Sequence, residues 1–304
     1  MIRFLVAGIV QMETIVKVDK LPISYQSLNS KPDTIYSGVG GDAYNMANAL
    51  KWLGNDVDLM SMISRKVTPD IVNSTLKNAK LSTDLILPVL NQMPSAVNLY
   101  DKDGKQQIFE DTKDLGNTEY NPELMEIAID NCDVLVMSNV SFCEPLIELA
   151  KERQIPIVVN IRDFRKEDLK FNEEFLDSAD VIYVSDDDLV KNSYEFVKEI
   201  SEIYSPKILI LGCGERGVMM YSEQDDTIVE YRSVKTLEKV NTVGAGNALL
   251  SCFLHYYFKT NDSVLSIKNA LLFASYKIGF LGTSNGFMTE EQIEQWRNII
   301  WNIR

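Results

Sequence analysis

A chain of 304 residues, 45% apolar and 24% charged, suits one large α/β domain or two smaller ones, and no stretch reaches the roughly 18 apolar residues that a membrane helix needs. Thirty basic against 44 acidic residues give a formal charge of -14, which disfavours nucleic acid and anionic membranes and obliges any phosphate site to gather its donors locally. The single histidine, His255, excludes a histidine triad or a multi-histidine metal site, and Cys132, Cys143, Cys213 and Cys252, without CxxC spacing, read as reduced core thiols.

Residues 1–10 are apolar but meet Gln11 and Glu13 at once, which predicts a buried first strand rather than a signal peptide and hence a cytoplasmic protein. Residues 15–18, and 34–36 beyond a polar loop, read as half-exposed strands. Gly40-Gly41 then opens a helix over 42–53, with Ala43, Met46, Ala47, Leu50 and Leu53 on one stripe and Gly54-Asn55 at its end. Apolar strands at 57–63, 134–137, 157–159, 181–184 and 208–211 alternate with helical patterns, among them 122–131 and 186–203. That alternation predicts a mostly parallel sheet covered on both faces. Between them, 96–100 and 107–109 flank Asp101-Lys102-Asp103-Gly104, a hairpin signal.

These irregular strands predict a small antiparallel sheet inserted into a single domain over 1–304, with its strands at about 14–39 and 95–112. A sheet of that size cannot bury two faces, so it should cover a cleft, pair with a second copy of the chain, or both. Past residue 248 the chain reads as helical to its end, with a break near 282–286. His255 falls in the first of these helices and reads as packed or exposed rather than catalytic.

Two segments carry candidate chemistry. Gly40 and Gly41 would let a ligand approach the backbone, and Asn45, one turn into the helix, offers a donor and an acceptor to a hydroxyl; a purely structural turn is the alternative. Val240-Asn241-Thr242-Val243-Gly244-Ala245-Gly246-Asn247 directly precedes an apolar helix. Its small residues would bring backbone N–H groups together at a helix N-terminus, where unpaired donors and the macrodipole attract a phosphoryl group.

Both segments resemble signatures of the PfkB (ribokinase-like) family of sugar and nucleoside kinases. The first pattern, Gly-Gly-x-x-x-Asn-x-Ala-x-x-x-x-x-Leu-Gly, is matched by Gly40, Gly41, Asn45, Ala47, Leu53 and Gly54, and the second, Asp-Thr-x-Gly-Ala-Gly-Asp, by the 241–247 run with Asn at both acidic positions. The resemblance spans essentially the whole chain. It implies a three-layer α/β/α fold with a mostly parallel central sheet and a small β-sheet lid, and direct transfer of a phosphoryl group from ATP with Mg²⁺ to a hydroxyl of a small sugar or nucleoside. The exposed edges of the lid strands add the expectation of a homodimer joined through the lid.

By position, Gly244, Ala245 and Gly246 would form the anion hole, and Asn247 stands where the family has its catalytic Asp. Glu13, five residues after Gly8, would grip substrate hydroxyls beside Gly40, Gly41 and Asn45. Gly214 and Gly217 match the Gly-x-x-Gly turn bordering the nucleotide, next to Arg216, and Gly212 stands where the family often has a Thr facing phosphate. Ser185 and Asp188 replace the Asn and Glu of a motif that arranges the metal, although an acidic run at a helix start is also what the helix dipole favours. Because an amide cannot accept a proton, the kinase is expected to be weak; the alternative is a non-catalytic ligand- or nucleotide-binding relative with a regulatory role. A dinucleotide oxidoreductase is disfavoured, since no G-x-G-x-x-G follows the first strand.

Overall fold

Strand β1 (Arg3–Ala7) shows how the layers arise: Phe4 and Val6 enter one core while Leu5 and Ala7 enter the other, so its apolar run serves two faces of a sheet. The computed structural model describes residues 1–66, 69–102, 104–162, 164, 169–186 and 192–301. After β1 come β2 (Gln11–Lys17), β3 (Ile35–Gly40), α1 (Asp42–Trp52), β4 (Asp56–Ser64), α2 (Pro69–Asn78), β5 (Ile86–Leu90), β6 (Ser95–Tyr100) and β7 (Gln106–Asp111). The second half adds α3 (Pro122–Asp130), β8 (Val134–Ser138), α4 (Glu144–Glu152), β9 (Ile157–Ile161), α5 (Leu169–Ser178), β10 (Val181–Ser185), α6 (Ser193–Tyr204), β11 (Ile208–Gly212), β12 (Gly217–Ser222) and β13 (Thr227–Arg232). Helices α7 (Ala245–Thr260), α8 (Ser263–Lys277) and α9 (Glu290–Trp301) close the described chain.

Nine strands form one sheet in the order β13-β12-β11-β10-β9-β8-β1-β4-β5. Pairing is parallel from β11 to β5, and the β12–β13 hairpin adds an antiparallel edge that the sequence reading missed. Helices α1, α2, α7, α8 and α9 pack on one face and α3, α4, α5 and α6 on the other. Local signals set the helix starts: Asn121 caps α3 through Leu124 N–H at 3.2 Å with Pro122 in the first turn, and Asp262 caps α8 through Leu265 N–H at 2.9 Å. The predicted helix over 186–203 is described only from Ser193 onward, capped by Asn192; residues 187–191 lie outside the described residues.

The small sheet has the order β3-β2-β6-β7. Its outer pairings are antiparallel as expected, but β2 and β6 run parallel, which corrects the all-antiparallel reading. The reason is topological: β2 and β6 each leave the large sheet in the same direction, after β1 and after β5, and only β3 and β7 return. Two-residue alternation then divides the sheet's side chains. Glu13, Ile15, Ala96, Asn98 and Glu110 lie on the face toward the large sheet, and Val16, Ile35, Val97, Leu99 and Phe109 on the other.

Candidate active site

A cleft of about 1550 Å³ opens at the carboxyl ends of the parallel strands, between the small sheet and the start of α7. Ligands of open α/β sheets bind at such ends, and the volume exceeds what one small molecule needs.

The cleft's floor begins at Glu13, buried on β2. Its Oε1 accepts Gly41 N–H at 2.9 Å and Gln11 Nε2–H at 3.1 Å. Glycine is required beside it: a Cβ at Gly40 would lie 2.2 Å from the carboxylate, and one at Gly41 2.3 Å from Ile9 O, at φ +98°. The glycine pair therefore lets the β3–α1 turn close on the carboxylate. Asn45, one turn into α1, and Asn98, on β6, are buried nearby. Four buried oxygens that line this cleft, Gln11 Oε1, Glu13 Oε2, Asn45 Oδ1 and Asn98 Oδ1, accept no hydrogen bond.

Two residues that sequence reasoning missed join this floor. Arg162, just past the end of β9, pairs with Asp42 through Nε at 2.9 Å and with Glu110 of β7, so one guanidinium ties the start of α1 to the small sheet. Burial opposes its charge, but the two carboxylates outweigh that and hold its pKa above the usual arginine value. Asn160, two residues earlier on the same strand face, donates from Nδ2 to Asn247 Oδ1 at 3.3 Å. A polar Asn-x-Arg ending an otherwise apolar parallel strand was the available signal.

The anion turn starts at Gly244, in the left-handed region at φ +82°, where a Cβ would lie 2.3 Å from Thr283 O. Ala245 N–H is engaged by Thr242 O at 3.1 Å, closing the turn. Tyr183, also missed, stands between two glycines: a Cβ at Gly246 or Gly212 would come within 2.4 or 2.6 Å of its hydroxyl. The turn is thus brought beside the Gly212, Gly214 and Gly217 segment on the same cleft wall. Ser185 lines this wall as well. Arg216 does not point into it unpaired, because its guanidinium bonds Asp186 and reaches Ser193 Oγ at 3.2 Å. Asp188 lies outside the described residues. At the far end the β6–β7 hairpin tip meets the opposite wall, where a Cβ at Gly104 would lie 2.4 Å from the Lys239 ammonium.

The remaining sequence candidates belong to the scaffold. His255 is buried against Asn55 and Glu290, and burial lowers its pKa. Burial also raises the thiol of Cys213 to about 11 and that of Cys132 to about 12, which leaves them poor nucleophiles.

The large sheet with its two helical layers and the small inserted sheet make a ribokinase-like fold, and the comparisons agree. The pattern of the pfkB family carbohydrate kinases matches residues 1–290, and the chain belongs to that family. Among curated relatives, the deoxyribokinase of Salmonella typhi is 30% identical over 92 residues, 30% of this chain and only 29% of that enzyme. The ribokinase of Dictyostelium discoideum is 23% identical over 95% of this chain and 98% of its own. Among solved structures, a microbiome-derived acarbose kinase superposes with TM-score 0.84 at 18% identity, covering 97% of this chain and 98% of its own. Arabidopsis thaliana ribokinase complexed with ribose and ATP superposes with TM-score 0.77 at 14% identity, covering 97% and 98%.

Proposed function

We propose that this chain binds a small sugar or nucleoside under the inserted sheet and, slowly, transfers the γ-phosphoryl group of ATP to one of its hydroxyls. The observation that carries the reading is the set of four buried, unpartnered acceptors on Gln11, Glu13, Asn45 and Asn98. Leaving such oxygens dry and unpaired costs about 1–3 kcal/mol each, and a ligand with several O–H donors would satisfy them together. At the cleft floor one guanidinium, that of Arg162, pairs with Asp42 and Glu110 and lies in the field of Glu13, so a neutral polyol suits this end of the pocket better than an acid.

The nucleotide would lie along the Gly212–Gly217 wall with its terminal phosphate at the Gly244–Asn247 turn, at a helix N-terminus where N–H groups other than that of Ala245, which Thr242 O already engages, would meet it. Among the described residues no three acidic, histidine or cysteine side chains converge as a metal cage. Mg²⁺ would enter with the phosphates, as it commonly does, held by their oxygens and water. The substrate oxygen bonds to the γ-phosphorus, the bond to the β–γ bridging oxygen breaks, and ADP leaves. The hydroxyl proton is the weak point, since the Asn247 amide cannot take it and it must pass to water or a phosphate oxygen. Positioning and electrostatics carry most of a phosphoryl transfer, and a missing base costs about 10²–10⁴-fold in rate.

Asn247 equally favours a second reading, a ligand or nucleotide sensor without turnover. Both readings include a cytoplasmic homodimer with the small sheet as lid and joint, supported by the exposed apolar side chains of Ile35, Val97 and Phe109 on its outer face. The test is a calorimetric and thermal-shift screen of sugars and nucleosides with and without Mg-ATP. The expected result is a raised melting temperature with one polyol class, deepened by nucleotide. No binding of either ligand at millimolar concentration by folded protein would overturn both readings.

A further inference from the structure

Lys277, the last residue of α8, has no exposed surface. Its ammonium donates to two main-chain oxygens, Val243 O and, at 2.8 Å, Gly282 O. No carboxylate among the described residues pairs with it, and Glu13 acts on it only through its field. An ammonium buried without a counter-ion is costly, and burial pushes its pKa down to about 7 against the opposing charge of Glu13. Packing alone would be served better by Leu or Met.

The oxygens that hold it belong to the anion turn. Val243 O shares a planar trans peptide with Gly244 N–H, so with Lys277 on the oxygen that N–H points away from the ammonium. Gly282 O also accepts Asn241 Nδ2–H at 2.9 Å, while Asn241 Oδ1 accepts Val243 N–H at 2.7 Å. Thr283 O packs against Gly244. The ammonium thus sits behind the turn on two carbonyl dipoles, as a monovalent cation would.

We propose that Lys277 is a tethered cation and a positioning residue of the anion turn, polarising the 243–244 peptide and clamping the 282–283 segment so that the turn needs no free monovalent ion. The proposal rests on the nucleotide-binding reading above, and the melting measurement below does not. The test compares the native chain with Lys277→Met at a pH near 6 in choline, potassium and ammonium chlorides of equal concentration. Melting temperature and Mg-ADP affinity are read in each. The native chain should behave alike in all three salts. Lys277→Met should lose about ten- to a hundredfold in ADP affinity in choline, the worth of a hydrogen bond to charge, and should regain affinity and melting temperature in potassium or ammonium but not choline.

A native chain that requires potassium overturns the proposal, as does a variant equally impaired in every salt, which would mark Lys277 as structural. If Lys277→Met folds in no salt, Lys277→Gln, which keeps one donor, is read by the same criteria. Failure of the native chain to bind ADP in any salt removes the nucleotide reading, and the salt dependence of the variant's melting still decides whether the site takes a cation.

Discussion

At position 247 an amide occupies the first turn of α7 beside the turn proposed to bind the transferring group, and its Oδ1 already accepts from Asn160. A carboxylate there would accept the same bond in nearly the same volume, so Asn247→Asp should fit without rearrangement. Turnover of the substrate found by screening is expected to rise by about 10²–10⁴-fold, the usual worth of a general base. It should appear in kcat rather than KM, because the proton acceptor acts only as the new bond forms. Native turnover of tens per second, unchanged in the variant, would show that the proton leaves by another route.

The turn between β3 and α1 is where backbone conformation and site chemistry meet. Gly41→Ala should cost about 1–3 kcal/mol from its positive φ alone, and more because the new methyl meets Ile9 O at 2.3 Å. Gly54, at the other end of α1, is the control: its φ is +86° and nothing lies within 4 Å of a Cβ there. Gly54→Ala should show the conformational cost without the clash. The check is the denaturant midpoint of each variant at unchanged m-value, and equal losses would mean that the contact beneath Gly41 relaxes freely. Gly41→Ala should also weaken polyol binding, since Gly41 N–H holds the Glu13 carboxylate.

Two predictions belong to the molecule as a whole. If the apolar outer face of the small sheet joins two copies, Phe109→Glu, at a residue 54% exposed on that face, should yield a monomer by light scattering with an unchanged circular dichroism spectrum. A native chain already monomeric at high micromolar concentration would remove the dimer.

The second concerns pH. Burial lowers the pKa of His255 below its ordinary 6.5, so the unfolded chain binds the proton more readily. That stability is present above pH 6.5 and is lost as pH falls through the folded pKa. Lys277, lowered from 10.5 to about 7, acts with the same sign at higher pH, its stability growing as pH rises between those values. Melting temperature should therefore climb from pH 5 to 7 in the native chain and climb less in His255→Gln; equal slopes would assign the acid loss to carboxylates.

What the sequence determined by itself was local or periodic. Apolar strands alternating with helices are legible because a buried parallel strand must be apolar on both faces, and the Gly40-Gly41 and Gly244-Ala245-Gly246 turns are legible because only small residues permit such close backbone approach. The tertiary structure alone decided what lies across from them. Arg162 joins Asp42 to Glu110, 52 residues earlier in the chain, Tyr183 stands between Gly212 and Gly246, and Lys277 reaches back to Val243. Those partners come from strands and helices far apart in sequence, and a lone polar residue carries no periodicity that would announce its partner. The parallel β2–β6 pairing was hidden for the same reason, since strand direction in an inserted sheet follows from where each excursion leaves the large sheet and not from the residues of the strand.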